Sequence, residues 1–348
     1  MRVVHVSPTY MGPNSLIGGA ERYTTELASA MAQKIPTRLV SFGDRSRREQ
    51  WGPLEVHIYR PLAYIGGLRW NPLSVGFLSS LRDADVIHCH QFKVIPSFLS
   101  ILYGHLKGIP LFVTDLGGTA PSFFNRLPVE RWVNGFLHIS HYSECLNPSR
   151  SSTDTVIGAG INTSIFTPKP VGQKSGVLFV CRIRPAKGVH FLIEALPSGA
   201  SLDVVGPVLD PEYLQHLQKL ANGKEVSFHT ACSDEDLAKR YADAAVTVLP
   251  SLPGTELLGL TLLESMACAT PVICTEVGGM PEVVEDGVTG FIVQAANATT
   301  LREKLSHLLN HPDQAKEMGL RGRKRVLEHF TWDAVAERCL QAYQRSLA

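Results

Sequence analysis

The chain has 348 residues, 44% of them hydrophobic and 19% charged, with a net charge of +1. That is enough for two ordinary domains with packed cores. The near-neutral balance gives no case for nucleic acid, and seven cysteines at irregular spacings make no zinc pattern.

The charge is uneven: residues 1–170 hold 16 basic against 11 acidic side chains, and residues 171–348 hold 17 against 21. A mildly basic N-terminal half is compatible with an anionic acceptor or a peripheral membrane contact, and is also within ordinary scatter. Cys181, Cys268 and Cys274 sit in apolar runs and read as buried small residues.

The opening MRVVHVSP is a strand over Val3–Val6 ended by Pro8, not a signal peptide, because Arg2 leads straight into the apolar run. No run approaches the ~20 apolar residues that span a bilayer, so a cytoplasmic protein is expected. A glycine-containing loop with Gly18 and Gly19 precedes a helix from Gly19 to Lys34. It is a strand–loop–helix unit without the G-x-G-x-x-G fingerprint of a dehydrogenase.

Thr37–Phe42 and Glu55–Tyr59 read as strands, with Gly43–Pro53 a polar surface loop between them and residues 60–76 a further surface segment. Asp83-Ala84-Asp85 imitates a metal-binding D-x-D but precedes its strand instead of following it. The next strand, Asp85–Cys89, puts His88 and His90 on one face. A metal pair there lacks a visible third ligand. Leu111–Thr114 is a strand whose end carries Asp115-Leu116-Gly117-Gly118-Thr119, at the sheet edge where doubly wound folds place ligands. Gly135–Ile139 and Thr155–Ile157 follow, and Lys169–Ser175 reads as a polar hinge.

A second half begins at Gly176. Val177–Cys181 is a strand, and after it Arg182 and Lys187 flank a loop before the next helix. Leu202–Gly206, Val226–His229 and Ala245–Leu249 are further strands. Ser233 with Asp236 reads as a helix start, and Thr300 with Glu303 as a capping box for 301–310.

The stretch Leu249–Val293 is the most informative. A loop carrying Glu256 leads into a helix that opens at Gly259, carries Glu264 and stops by Pro271. First-turn amides have no internal partner and carry partial positive charge, and a glycine lets an anion approach closely. Gly259, Leu260 and Thr261 therefore offer amides to a phosphate. Glu264 can reach a ribose beyond it, and Glu256 whatever the phosphate leaves. Strands and helices alternate through both halves, which implies an α/β protein with two parallel sheets.

Glu256 and Glu264, with seven residues between them and with TPVI and GGMPEVV after them, resemble the E-x7-E motif of retaining GT-B glycosyltransferases of family 4. GGAER, the phrase VIGAGINTSIFTP and the Arg182–Gly188 element resemble other parts of that family in the same order. The resemblance implies two Rossmann-like domains facing across a cleft: 1–170 on the acceptor side, with the last helix, Thr331–Leu347, packing back on it, and 171–330 binding a nucleotide sugar.

It further implies that Gly18 and Gly19 lie on the donor side, that Arg182, Lys187 and the Gly259 amides neutralise a diphosphate without a metal, and that Thr230–Ser233 meets the base. Glu256 would hold the transferred sugar and Glu264 the ribose. Asp115 stands where the family commonly has a histidine, and Ala269 where it has a glycine. The acceptor is expected to be a glycan, glycolipid or small molecule, in surface polysaccharide or glycolipid synthesis. A GT-B nucleotide-sugar epimerase or other sugar-phosphate enzyme is the alternative; a glycosidase, a phosphorylase and a non-catalytic binding protein fit less of the pattern.

Overall fold

The computed structural model describes residues 1–11, 19–117, 128–146, 153–169 and 174–347. The chain divides into two units, Met1–Gly160 with Trp332–Ala348, and Ile161–Thr331.

The first unit runs β1 (Val3–Tyr10), α1 (Gly19–Ala32), β2 (Thr37–Phe42), β3 (Arg47–Trp51), β4 (Leu54–Tyr59), β5 (Ala63–Tyr64), β6 (Pro72–Leu73), β7 (Val86–His90), α2 (Ile95–Lys107), β8 (Leu111–Thr114), β9 (Gly135–His138), α3 (His141–Leu146) and β10 (Thr155–Val156). Its main sheet has the order β10-β9-β8-β7-β1-β2-β4-β3. All pairs are parallel except β3 with β4. Near-continuous apolar strands such as LFVT are what a sheet buried on both faces requires. Val4, Val6, Ile87 and Cys89 pack into one core cluster with Ile101 of α2.

Two readings are corrected. The segment 43–53 is not all loop: Arg47–Trp51 pairs antiparallel with β4 across a Gly52-Pro53 turn. Its charged residues hide it, because an exposed edge strand needs no apolar face and charge protects it from further pairing. Pro8 does not end β1. The pairing to β2 skips from Val6 to Tyr10, so the missing N–H of Pro8 costs no ladder bond.

The second unit runs β11 (Ser175–Val180), α4 (Val189–Ala195), β12 (Ser201–Val205), α5 (Pro211–Leu220), β13 (Glu225–His229), α6 (Asp234–Asp243), β14 (Ala244–Leu249), α7 (Leu260–Ala267), β15 (Val272–Thr275), α8 (Met280–Val283), β16 (Gly290–Val293), α9 (Ala298–Asn310) and α10 (Pro312–His329). Its six strands lie in the order β13-β12-β11-β14-β15-β16, all parallel. This is the doubly wound order, with its switch point between β11 and β14, where such folds bind ligands beyond the carboxyl ends of the strands. In the first unit the corresponding switch lies between β1 and β7. The cap of α9 is Asn297, whose side chain accepts from the Thr300 amide at 3.1 Å, so the Thr300–Glu303 capping box is corrected.

α11 (Trp332–Leu347) belongs to the first unit. Lys34 pairs with Glu337 at 2.9 Å, Arg338 Nε donates to Ile157 O at 2.6 Å, and Tyr23 meets Trp332 edge-on. Gly160 makes the passage possible, since a Cβ there would lie 2.5 Å from the Trp332 nitrogen.

Candidate active site

In the second unit the loops after β11 and β14 are locked together. After β11 the chain makes one tight turn over Pro185–Lys187 and reverses at Gly188, φ 68. A Cβ there would sit 2.0 Å from Pro250 O, so only glycine allows this approach. The Leu252 amide donates to Ala186 O at 2.9 Å. The contact carries Lys187 to Glu256: Nζ donates to Oε1 at 2.5 Å and to Thr255 O at 3.2 Å.

Lys187 is 2% exposed and Glu256 12%, so the pair is shielded from water and strong. Ser251 Oγ adds a bond to the same oxygen at 2.7 Å. The turn after β15 holds Glu256 from its other side: a Cβ on Gly278 would lie 1.8 Å from Glu256 O.

α7 opens at Gly259, φ 91, with no side-chain cap. No side chain caps its first amides, those of Leu260 and Thr261. Glu264, one turn further, is 5% exposed, and its Oε2 accepts from Tyr241 OH at 2.8 Å. Burial, then the Glu264 carboxylate, pushes the Tyr241 phenol well up, so it stays a donor. Arg182 is exposed. Arg184, not singled out in the sequence, is half-buried with Nε lacking a partner among the described residues. Ser251 and Tyr241 also went unseen in the sequence, since nothing local ties them to the two glutamates.

In the first unit Gly19 is the first residue of α1, while Gly18, Gly118 and Thr119 lie outside the described residues. Asp115 is half-buried just past β8, and its Oδ1 accepts from the Gly117 amide at 3.3 Å. Asp83 is held by Arg38 Nη1 at 2.7 Å and by Arg2. The Arg38 guanidinium lowers its carboxyl to about 2, which makes it an ion-pair partner and not half of a D-x-D site.

His88 and His90 do gain a third histidine, His5 of β1, directly opposite His88 in the register. All three are buried. His5 Nδ1 lies 2.9 Å from His90 Nε2 and His5 Nε2 3.3 Å from Met31 Sδ. His88 bonds Thr114 Oγ1 at 2.8 Å and Tyr343 OH at 2.7 Å. Ring nitrogens 2.9 Å apart are within hydrogen-bond distance, one as donor and the other as acceptor.

Residues 162–325 match the family Glycosyl transferases group 1, and residues 17–164 match Glycosyltransferase Family 4. The alpha-maltose-1-phosphate synthase of Mycolicibacterium smegmatis is 34% identical over 99% of both chains. The chain belongs to glycosyltransferase family 4. A Mycobacterium tuberculosis enzyme, a GDP-mannose-dependent alpha-(1-6)-phosphatidylinositol monomannoside mannosyltransferase, is 30% identical over 57% of this chain and 57% of its own.

Among solved structures, sucrose-phosphate synthase from Thermosynechococcus elongatus superposes with TM-score 0.76 at 22% identity, over 99% of each chain. Anabaena HepE in complex with UDP gives 0.77 at 18%, over 99% of this chain and all of that one. The fold of this transferase is thus GT-B, and the epimerase alternative finds no support among its relatives. Among its described residues no helix is long and apolar enough to cross a membrane.

Proposed function

We propose that this transferase moves a sugar, with retention at the transferred carbon, from a nucleoside-diphosphate sugar bound by the second unit to an acceptor hydroxyl, without a metal ion. One observation carries the reading: the buried Lys187–Glu256 pair, 2.5 Å apart, beside the uncapped start of α7. Lys187 supplies a positive charge already desolvated and oriented. With the Gly259, Leu260 and Thr261 amides it stabilises the charge that grows on a departing diphosphate. Arg182, exposed on the same loop, adds a second cation.

Glu256 has two tasks, orienting Lys187 and accepting hydroxyls of the transferred sugar. Glu264, steadied by Tyr241, takes the ribose. Asp115 takes the polar role of the family's histidine. HepE is solved with UDP, which supports a nucleoside-diphosphate donor here. The relatives' names include a phosphatidylinositol monomannoside mannosyltransferase, which supports a glycan or glycolipid acceptor.

The test is a thermal-shift screen of the full chain against UDP, GDP, ADP, CMP and dTDP sugars, followed by turnover with the best donor in EDTA. A true donor at 100 times its Kd adds roughly 2.7 kcal/mol of stability. Turnover should persist in EDTA. A flat screen would remove the donor site, and activity lost in EDTA and restored by Mn²⁺ would remove the metal-free mechanism.

A further inference from the structure

We infer that Arg184 holds the diphosphate of the donor, as a third cation of the loop after β11 beside Arg182 and Lys187. The inference rests on the nucleoside-diphosphate reading above. It adds a residue that neither the sequence pattern nor the family resemblance singles out.

The backbone turns Arg184 to the same side as Arg182. Ile183 is fully buried and bridges to Val208: its amide donates to Pro207 O at 2.8 Å, and its carbonyl accepts from the Leu209 amide at 3.2 Å. Arg184 is extended too, at φ -156 and ψ 157. Side chains alternate along an extended chain, so Arg182 and Arg184 both stand on the face from which Ile183 turns away. This is the carboxyl end of β11, beside the switch point between β11 and β14. The turn that follows fixes the position, since the Lys187 amide donates to Arg184 O at 3.0 Å.

There the side chain costs stability. Its Nε is buried, and its guanidinium makes no hydrogen bond or ion pair among the described residues. Lys187, by contrast, is paired with Glu256. A half-buried guanidinium with no acid beside it is partly desolvated and uncompensated. Orphaned groups of this kind are rare in native interiors, and folds keep destabilising groups where function needs them.

An anion removes both defects at once: it accepts from Nε and balances the charge. Phosphate suits the residue best, because the planar fork of an arginine meets two phosphate oxygens together. A neutral base would satisfy Nε and leave the charge unbalanced.

The test binds radiolabelled UDP, GDP or ADP to the full chain and displaces the best of them with pyrophosphate, in wild type and in Arg184→Met. A urea midpoint is measured for both proteins. Methionine keeps a long flexible stem and removes the charge. The nucleotide should bind Arg184→Met roughly tenfold more weakly, the loss of one hydrogen bond to a charged group. The affinity of pyrophosphate, read from displacement, should fall as much. The urea midpoint should stay level or rise, which a structural arginine would not allow.

An unchanged nucleotide affinity, no displacement by pyrophosphate, a pyrophosphate affinity that survives while the nucleotide's falls, or a lower urea midpoint would each overturn the inference and leave the donor reading standing. A wild-type chain that binds none of the three nucleotides would sink both together.

Discussion

Lys187 and Arg182 follow the same strand and carry the same charge, yet the fold treats them differently. Lys187 is buried against Glu256, whereas Arg182 is exposed. Removing one partner of a buried ion pair costs about 3–5 kcal/mol, while an exposed side chain away from such features costs within about 0.5 kcal/mol. Lys187→Ala should therefore lower both stability and nucleotide affinity, and Arg182→Ala affinity alone. Urea denaturation beside nucleotide titration separates the two, and a Lys187→Ala protein as stable as wild type would show that the pair does not form before the ligand arrives.

The pattern around Lys187, Glu256 and Gly259 was readable because each lies in a local phrase of the chain. His5 was not, because only the parallel register of β1 with β7 puts it opposite a residue 83 positions away. Gln91, at φ 74 just past β7, was unreadable for another reason: nothing in its neighbours announces a left-handed backbone at a glutamine.

Among the elements, α7 carries the clearest departure from its family. Ala269 takes φ 53, the left-handed turn that usually selects glycine. The turn is otherwise complete: the Ala269 amide donates to Met266 O at 3.0 Å and the Thr270 amide to Ser265 O at 3.1 Å. The helix end is thus kept, with a Cβ in it. Ala269→Gly should stabilise the protein by about 1 kcal/mol, read as a higher urea midpoint. A lower midpoint would mean that packing of the buried methyl outweighs the strain.

Core strands were legible at this scale as continuous apolar runs, and amphipathic helices because one-sided burial writes a period into the sequence. β3 was not, since its only demand is an edge partner. The cap of α9 was misplaced by three residues because Asn297 and Thr300 are both plausible starts.

For the whole molecule, the histidine cluster sets a dependence on pH. The folded value of His5, about 3, lies below its usual 6.5, and His88 and His90 are lowered too, all chiefly by burial. Below pH 6.5 the unfolded chain takes up protons that the folded chain refuses. Stability is then full above pH 6.5 and falls as the pH drops toward 3. Three such groups give a slope of about 4 kcal/mol per pH unit once the unfolded chain is protonated. Denaturation curves between pH 7.5 and 5.0 would show it, and a slope below one proton's ~1.4 kcal/mol would refute it.

Tyr343 of α11 bonds His88 in the middle of this cluster, across 255 positions of chain. That bond has a meaning for how the protein is made. The first unit begins to leave the ribosome before the second but lacks its last helix until after residue 331, whereas residues 161–331 emerge as one unbroken stretch. The unit whose chain comes first is therefore the later of the two to be completed. Until α11 arrives, His88 on the sheet and Tyr23 on α1 lack the aromatic partners that it supplies.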